Sequence, residues 1–420
     1  MRTSRAVIGV ILALTAVTAC TSDDDGGDGV EVELVAGGGD SPLAAEPAAG
    51  RDIRLDGQVT ALTSGPDGSV WAVAGGDTLV EITADGDVRS LEPELPAGAT
   101  AVTDLAVGPD GTVYAVADGA SDASVFVLDS DTLQAALGVP APPEELSART
   151  PVSPDGTPAE EARLGQVVDI AADADGRLLF AESLLAEGGG LTGASMVRTV
   201  EDGVLVTLAG QPWEDPTTAP ETDQIPVTAF PDGSAATEID LLGPIALAGG
   251  PDGDVLVRTG WSVLSIADDG TAGVVLGADT SDDTLPVVTS DGPFAETVGA
   301  TSIGYRAILD PKTFSVTGDG AIATGAIGNL ESLTEDDHAP YEWVVTDGSE
   351  RAQAIADSRA SNTETHSTVV VTPGGEVATA DIASDDAAWY GDGRLAAAVY
   401  DDESDESIIV AIEIPDDIAS

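Results

Sequence analysis

The chain has 420 residues, enough for two or three ordinary domains or one large repeat fold. Fifteen Lys and Arg stand against 75 Asp and Glu, a formal charge of −60, and a field of that sign repels phosphate backbones and excludes nucleic acid as a partner. At 42% hydrophobic residues the chain is too apolar for disorder, and with 49 Gly, 25 Pro and 4% aromatics its core must be Ala, Val, Leu and Ile cut up by many turns.

Residues 1–19 read as a signal peptide. Arg2 and Arg5 precede an apolar run from Ala6 to Ala19 that is too short to cross about 30 Å of hydrocarbon as a stable helix. The context Val17-Thr18-Ala19-Cys20 resembles the lipobox of bacterial lipoproteins, which implies cleavage before a lipid-modified Cys20. Cys20 is the only cysteine, so a disulfide within the chain is impossible and a free thiol is the other reading. Residues 20–29, with the run TSDDDGGDG, form an acidic flexible tether. The expected location is the extracytoplasmic face of the cell membrane. Acyl chains do the anchoring there, because the acidic body is repelled by anionic headgroups. Lys312 is the only lysine, a bias towards Arg that fits a high-GC genome or one adapted to salt.

The body spans residues 30–415, with a short tail at 416–420. Six segments repeat one pattern, an apolar stretch, a turn such as Pro-Asp-Gly, and an alternating apolar strand, with turn glycines at Gly68, Gly111, Gly176, Gly253, Gly320 and Gly375. Asp-Gly suits a tight hairpin, since glycine accepts positive φ and Asp bonds its own backbone. Period-two strands follow, as in Val70-Trp71-Ala72-Val73 and Val113-Tyr114-Ala115-Val116. Four short strands in each of six units predict an all-β, six-bladed β-propeller of four-stranded blades, with seven blades as the variant. One helix start is expected at Thr157-Pro158-Ala159-Glu160, from its capping box and Pro at the first helical position.

These residues resemble the NHL-repeat propellers of the TolB-like six-bladed group. The resemblance rests on the PDG or DADG turn followed by a VYAVAD-like strand, on VTLAG at Val206 to Gly210, and on two near-identical connectors, DGTPAEEARL from Asp155 and DGSAATEIDL from Asp232. A degenerate third copy begins at Asp291. The run VEVELVAGGGDSPLAAEP looks like the end of a blade plus its connector, so Val30 to Ala36 is expected to close the ring as the outer strand of the last blade.

In this family the Asp-Gly turns join the first strand to the second and the third to the fourth, all on one side. The long connections 139–163, 182–195, 211–242, 278–303 and 325–340 are therefore expected on the opposite side, as a binding rim. Candidate rim residues are Trp213, Trp261, Arg258, Asp118 and Glu182. Arg258 would hold an anionic group, or would pair with an Asp across the channel. Asp118 and Glu182 are taken to occupy the same strand-end position, where convergent carboxylates could take Ca²⁺. No cofactor is otherwise expected, and the DADG at Asp173 fits a hairpin better than a Ca²⁺ loop. No GxSxG, HExxH or Walker loop is present, and His338 and His366 are the only histidines. The expectation is a lipid-anchored, non-catalytic binding or scaffold module for an envelope protein, peptide or glycan. The alternative is a divalent-metal-dependent propeller hydrolase or lyase similar to gluconolactonases.

Overall fold

The structure, a computed structural model, describes residues 30–415 apart from 121–124, 141–151, 185–193, 211–232, 240, 243–245, 252, 260–261, 277–297, 300–313, 328–342, 347, 361–365, 374–375, 381–385 and 392. Alternating apolar residues broken by glycine turns produce strands nearly throughout. Strand β1 is Val30–Gly37. The first blade follows as β2 to β5, Val59–Ser64, Val70–Ala74, Thr78–Ile82 and Asp87–Leu91. The second is β6 to β9, Ala101–Val107, Val113–Asp118, Val125–Asp129 and Thr132–Leu137. The third is β10 to β13, Gln166–Ala172, Leu178–Leu184, Ala194–Glu201 and Val204–Gly210. The fourth is β14 to β17, Ala246–Gly249, Val255–Arg258, Val263–Ile266 and Thr271–Leu276.

In the fifth blade, β18 (Phe314–Val316) and β19 (Ile322–Ile327) are separated from its two outer strands by an insertion. That insertion holds β20 (Trp343–Thr346) and helix α1 (Glu350–Ala360). The outer strands are β21 (His366–Val371) and β22 (Glu376–Ala380), and the ladder runs β18-β19-β21-β22. Last come β23 (Asp386–Tyr390), β24 (Arg394–Asp401) and β25 (Glu406–Glu413).

The innermost strands β2, β6, β10, β14, β18 and β23 touch one another in a closed cycle, which makes the fold a β-propeller. Six equal four-stranded blades were the expectation, and this is corrected. Five blades of that kind are present, the fifth interrupted by its insertion, and the remaining sector is a seven-stranded sheet made from both ends of the chain together with β20 of that insertion. In it β1 pairs antiparallel with β25, Glu33 opposite Ala411 and Leu34 opposite Val410, so the anticipated closure by the N-terminal strand is present. The added strands have a physical reason. A four-stranded blade leaves its outer backbone edge unpaired, and this chain covers those edges.

The predicted connectors do that covering. Residues 155–164 turn through a single 3-10 turn at Ala159–Glu161, and the Ala159 N–H donates to Gly203 O at 2.9 Å on the outer edge of the third blade. The second copy has its 3-10 turn at Ala236–Glu238, where the Ala236 N–H donates to Gly270 O at 2.8 Å on the fourth blade. Ala48–Ala49 and Val298–Gly299 pair with the outer strands of the first and fifth blades in the same way. The helix expected from Thr157 is therefore only one 3-10 turn, because the connector must return to an extended path within a few residues. The α-helix among the described residues, α1, is one that strand periodicity concealed.

Blades pack through their apolar faces. Ala61, Trp71, Leu105 and Phe126 fill the gap between the first and second, and Ala106, Leu137, Ile170 and Phe180 that between the second and third. Each fully buried Val, Leu, Ile or Phe contributes about 1.5–3 kcal/mol. The PDG turn of the first blade touches the β23–β24 turn: the Gly391 N–H donates to Gly68 O at 3.0 Å, and Gly68 has φ 72°. A Cβ on Gly68 would lie 2.9 Å from Gly391 Cα. Positive φ also holds at Gly111, Gly176, Gly253 and Gly320, as the turn pattern predicts, and Gly375 lies outside the described residues.

Candidate functional site: the charged ring of the central channel

Three innermost strands carry an Asp at one shared ladder position. Asp104 lies opposite Val116, Asp169 opposite Ala181, and Asp386 opposite Ala398. Each carboxylate crosses to the next sector and accepts a backbone N–H there. Asp104 Oδ2 takes Ile170 N–H at 2.8 Å, Asp169 Oδ2 takes Leu247 N–H at 2.7 Å, and Asp386 Oδ2 takes Leu62 N–H at 2.8 Å. The other oxygens of Asp104 and Asp386 accept the N–H of Leu105 at 2.9 Å and of Ala387 at 2.8 Å. These bonds satisfy inner-strand amides that the blades' own ladders leave over.

The fourth blade has Ala246 at this position, and Arg258 stands opposite it on β15. Arg258 is fully buried and reaches the fifth blade, where Nη1 lies 3.4 Å from Thr324 Oγ1 and the guanidinium sits 5.8 Å from the centroid of Phe314. Ala246 is too short to make the crossing, and the long cation makes it instead. Between the fifth blade and the closing sheet the link is a hydroxyl, Ser315 Oγ, which accepts Trp389 N–H at 3.1 Å.

Burial pushes the Asp104 carboxyl up to about 7, against the pull of its two backbone donors. Asp169 is raised well above the ordinary range, chiefly by burial and then by the neighbouring Asp104 charge, with Arg258 opposing. The ring is therefore a low-dielectric site in which the Arg258 cation opposes the rise of the Asp169 carboxyl.

The anticipated rim residues do not come together. Asp118 is exposed at the end of β7, opposite Ala101. Glu182 pairs across from Val167 one rung further in, and Arg258 is one rung further still, so the three occupy successive positions rather than one. Glu182 (0% exposed) and Arg198 (1%) form a buried ion pair at 3.5 Å, and burial raises the Glu182 carboxyl while Arg198 opposes the rise. Arg198 Nη2 also donates to Ser153 O at 2.9 Å and to Asp155 Oδ1 at 3.2 Å, which ties the connector to the third blade. Glu182 and Arg258 are thus corrected from rim ligands to interior groups, and the reading of Arg258 as a partner for a channel Asp is the one the electrostatics favour. Trp213, Trp261 and His338 lie outside the described residues.

The rim loops are corrected in part as well, because residues 156–159 and 233–236 run along outer edges rather than standing on the rim. Asp173 serves its hairpin: Oδ1 accepts Arg177 N–H at 2.8 Å and Oδ2 pairs with Arg177 Nε at 2.7 Å. Among the described residues no group of three or more His, Cys, Asp or Glu side chains is placed to hold a metal ion, and no helix is long and apolar enough to cross a membrane. The shared Asp position was visible in the sequence as VTDLA and VVDIA, but only the ladder shows that its partners are the next blade's amides.

No protein-family model matches the sequence, and no curated protein matches it. Solved structures are similar in fold. A Bacteroides thetaiotaomicron protein of unknown function is 12% identical, over 90% of this chain and 75% of that one, with a TM-score of 0.46. An auxiliary nutrient binding protein from the same organism is 9% identical, over 91% and 76%, with a TM-score of 0.44. A gluconolactonase from Xanthomonas campestris is 12% identical, over 86% and 88%, with a TM-score of 0.40. The sheet order itself defines the class, a β-propeller protein.

Proposed function

We propose that this chain is an NHL-like, lipid-anchored extracytoplasmic propeller that works as a non-catalytic binding or scaffold module for an envelope protein, peptide or glycan. One observation carries the reading. The channel's conspicuous polar groups are spent on the ring itself, with Asp104, Asp169 and Asp386 each bonded to the next sector's backbone. A buried inner-strand carboxylate that accepts backbone amides of the next sector is engaged in holding the ring together, and that structural role accounts for its place. Recognition then falls to the side opposite the tight turns, where the second strand of each blade ends and Asp118 is exposed.

A photo-crosslinking residue placed at Asp118 and, separately, at Asp85 in a tight turn of the first blade tests this in intact cells. Defined adducts from position 118 and none from position 85 are the expected result. Equal labelling from both positions would count against a binding side. The metal-dependent alternative predicts that millimolar Ca²⁺ raises the melting temperature, since a ligand that binds only the native state stabilises it.

A further inference from the structure

Strand β1 has a ladder on both edges. Antiparallel β25 lies on one side, and on the other β20 runs parallel, Val32 opposite Val345 and Glu33 opposite Thr346. Strand β20 and helix α1 belong to the fifth blade's insertion, more than 300 residues away in sequence. Their side chains grip β1 and the turn after it. Thr346 Oγ1 donates to Val32 O at 3.0 Å, and Ser349 Oγ donates to Gly38 O at 2.5 Å. The Arg351 guanidinium pairs with Glu406 and, at 3.2 Å, with Asp40. Ala352, Ile355 and Ala356 of α1 share one buried apolar cluster with Val32 and Leu34 of β1, Val399 of β24 and Ile408 of β25, the helix lying against β24, β20 and β25. The fit at Gly38 is close enough that a Cβ there would stand 2.6 Å from Ala352 Cβ.

The direction of β1 is fixed too. Ile414 N–H, just past β25, donates at 3.1 Å to Gly393 O in the β23–β24 turn, and β1 runs antiparallel to β25. The beginning of β1 therefore lies on the side of the tight turns, and the β24–β25 hairpin around Glu403 lies on the other. Tension between the N-terminal segment and that far side acts along β1's axis. All its ladder bonds must then yield together, whereas peeling would break them one by one.

We propose that β1 is a reinforced attachment point, with β20 and α1 acting as a strap that keeps the body fixed to its N-terminal segment while a bound partner pulls on the opposite side. This rests on the reading of an anchored binding module and adds how force passes through it.

The test uses the mature chain, coupled to a surface through the lone thiol of Cys20 and pulled through a biotin acceptor peptide inserted after Glu403. Under constant force the doubly substituted Thr346→Val, Ser349→Ala chain should survive about tenfold less long than the parent, as expected for loss of two hydrogen bonds to β1 and the turn after it. With the handle moved from Cys20 to the C-terminus, the same variant should match the parent. Equal lifetimes in the first geometry overturn the proposal, and so does equal shortening in both, which would mean general destabilisation. If the double variant does not fold, Thr346→Val, which removes only the bond to Val32 O, is read in the same two geometries. Mass spectrometry of the Cys20 peptide from native membranes separates the two readings. An unmodified thiol with a strap-dependent lifetime retires the lipid and supports the attachment point, whereas an acylated Cys20 without strap dependence overturns the attachment point alone.

Discussion

Asp104 Oδ2 accepts the Ile170 N–H at 2.8 Å, so one buried carboxylate ties the second blade to the third. Its carboxyl sits near 7 in the folded protein, above the unfolded value of about 3.9, because burial disfavours the charge. The folded state thus holds a proton that the unfolded state has released. Stability from this group is fullest below about pH 4 and is lost as pH rises towards 7. Asp104→Asn should flatten the fall in urea-unfolding free energy between pH 5 and 7.5, by on the order of 1 kcal/mol or more. An unchanged pH slope would refute the assignment.

Arg258 is the buried cation that opposes the rise of the Asp169 carboxyl. Arg258→Met should lower stability at pH 7, because it removes the cation that opposes the rise of the Asp169 carboxyl together with the contacts to Thr324 and the Phe314 ring. The loss should shrink on acidification, since a protonated Asp169 no longer needs the cation. Chemical denaturation at pH 7 and at pH 5 reads both effects.

Glu182 and Arg198 offer the complementary case. Arg198→Leu alone should destabilise strongly and release the connector at Asp155, whereas Glu182→Leu with Arg198→Leu should recover most of the loss. A double-mutant cycle of melting temperatures gives the coupling. Additive losses would show that the pair does not act as a unit.

Gly50, in the connector that covers the first blade, has no room for a side chain: a Cβ would fall 1.9 Å from Val35 O in β1. Gly50→Ala should push the connector off β1 and lower stability by about 2–4 kcal/mol. Limited proteolysis should then cut within residues 38–52 faster than in the parent.

Turn chemistry and period two made the propeller legible, and the near-copied connectors and β1 closure could be read from VEVELVAG and DGTPAEEARL. The seven-stranded sheet could not, because β20 joins it from a different blade and nothing local in Trp343-Val344-Val345-Thr346 names its partner. Helix α1 was hidden for a similar reason: Ala352, Ile355 and Ala356 find their apolar partners in β20, β24 and β25, which come from other parts of the chain. Arg258 and Glu182 were visible as charges at strand ends, but their burial depends on register. The difference between Ala246 and Asp169 is what draws a guanidinium inward, and that pairing is tertiary.

The place of β1 also bears on how the chain is made. The strand leaves the ribosome more than 300 residues before either of its two neighbours. Until then its backbone is bare on both edges, and no shortened product can complete the circle. Closure must wait until β25 has been made, which makes the ring slow to close and exposes shorter translation products to proteolysis and to sticking together.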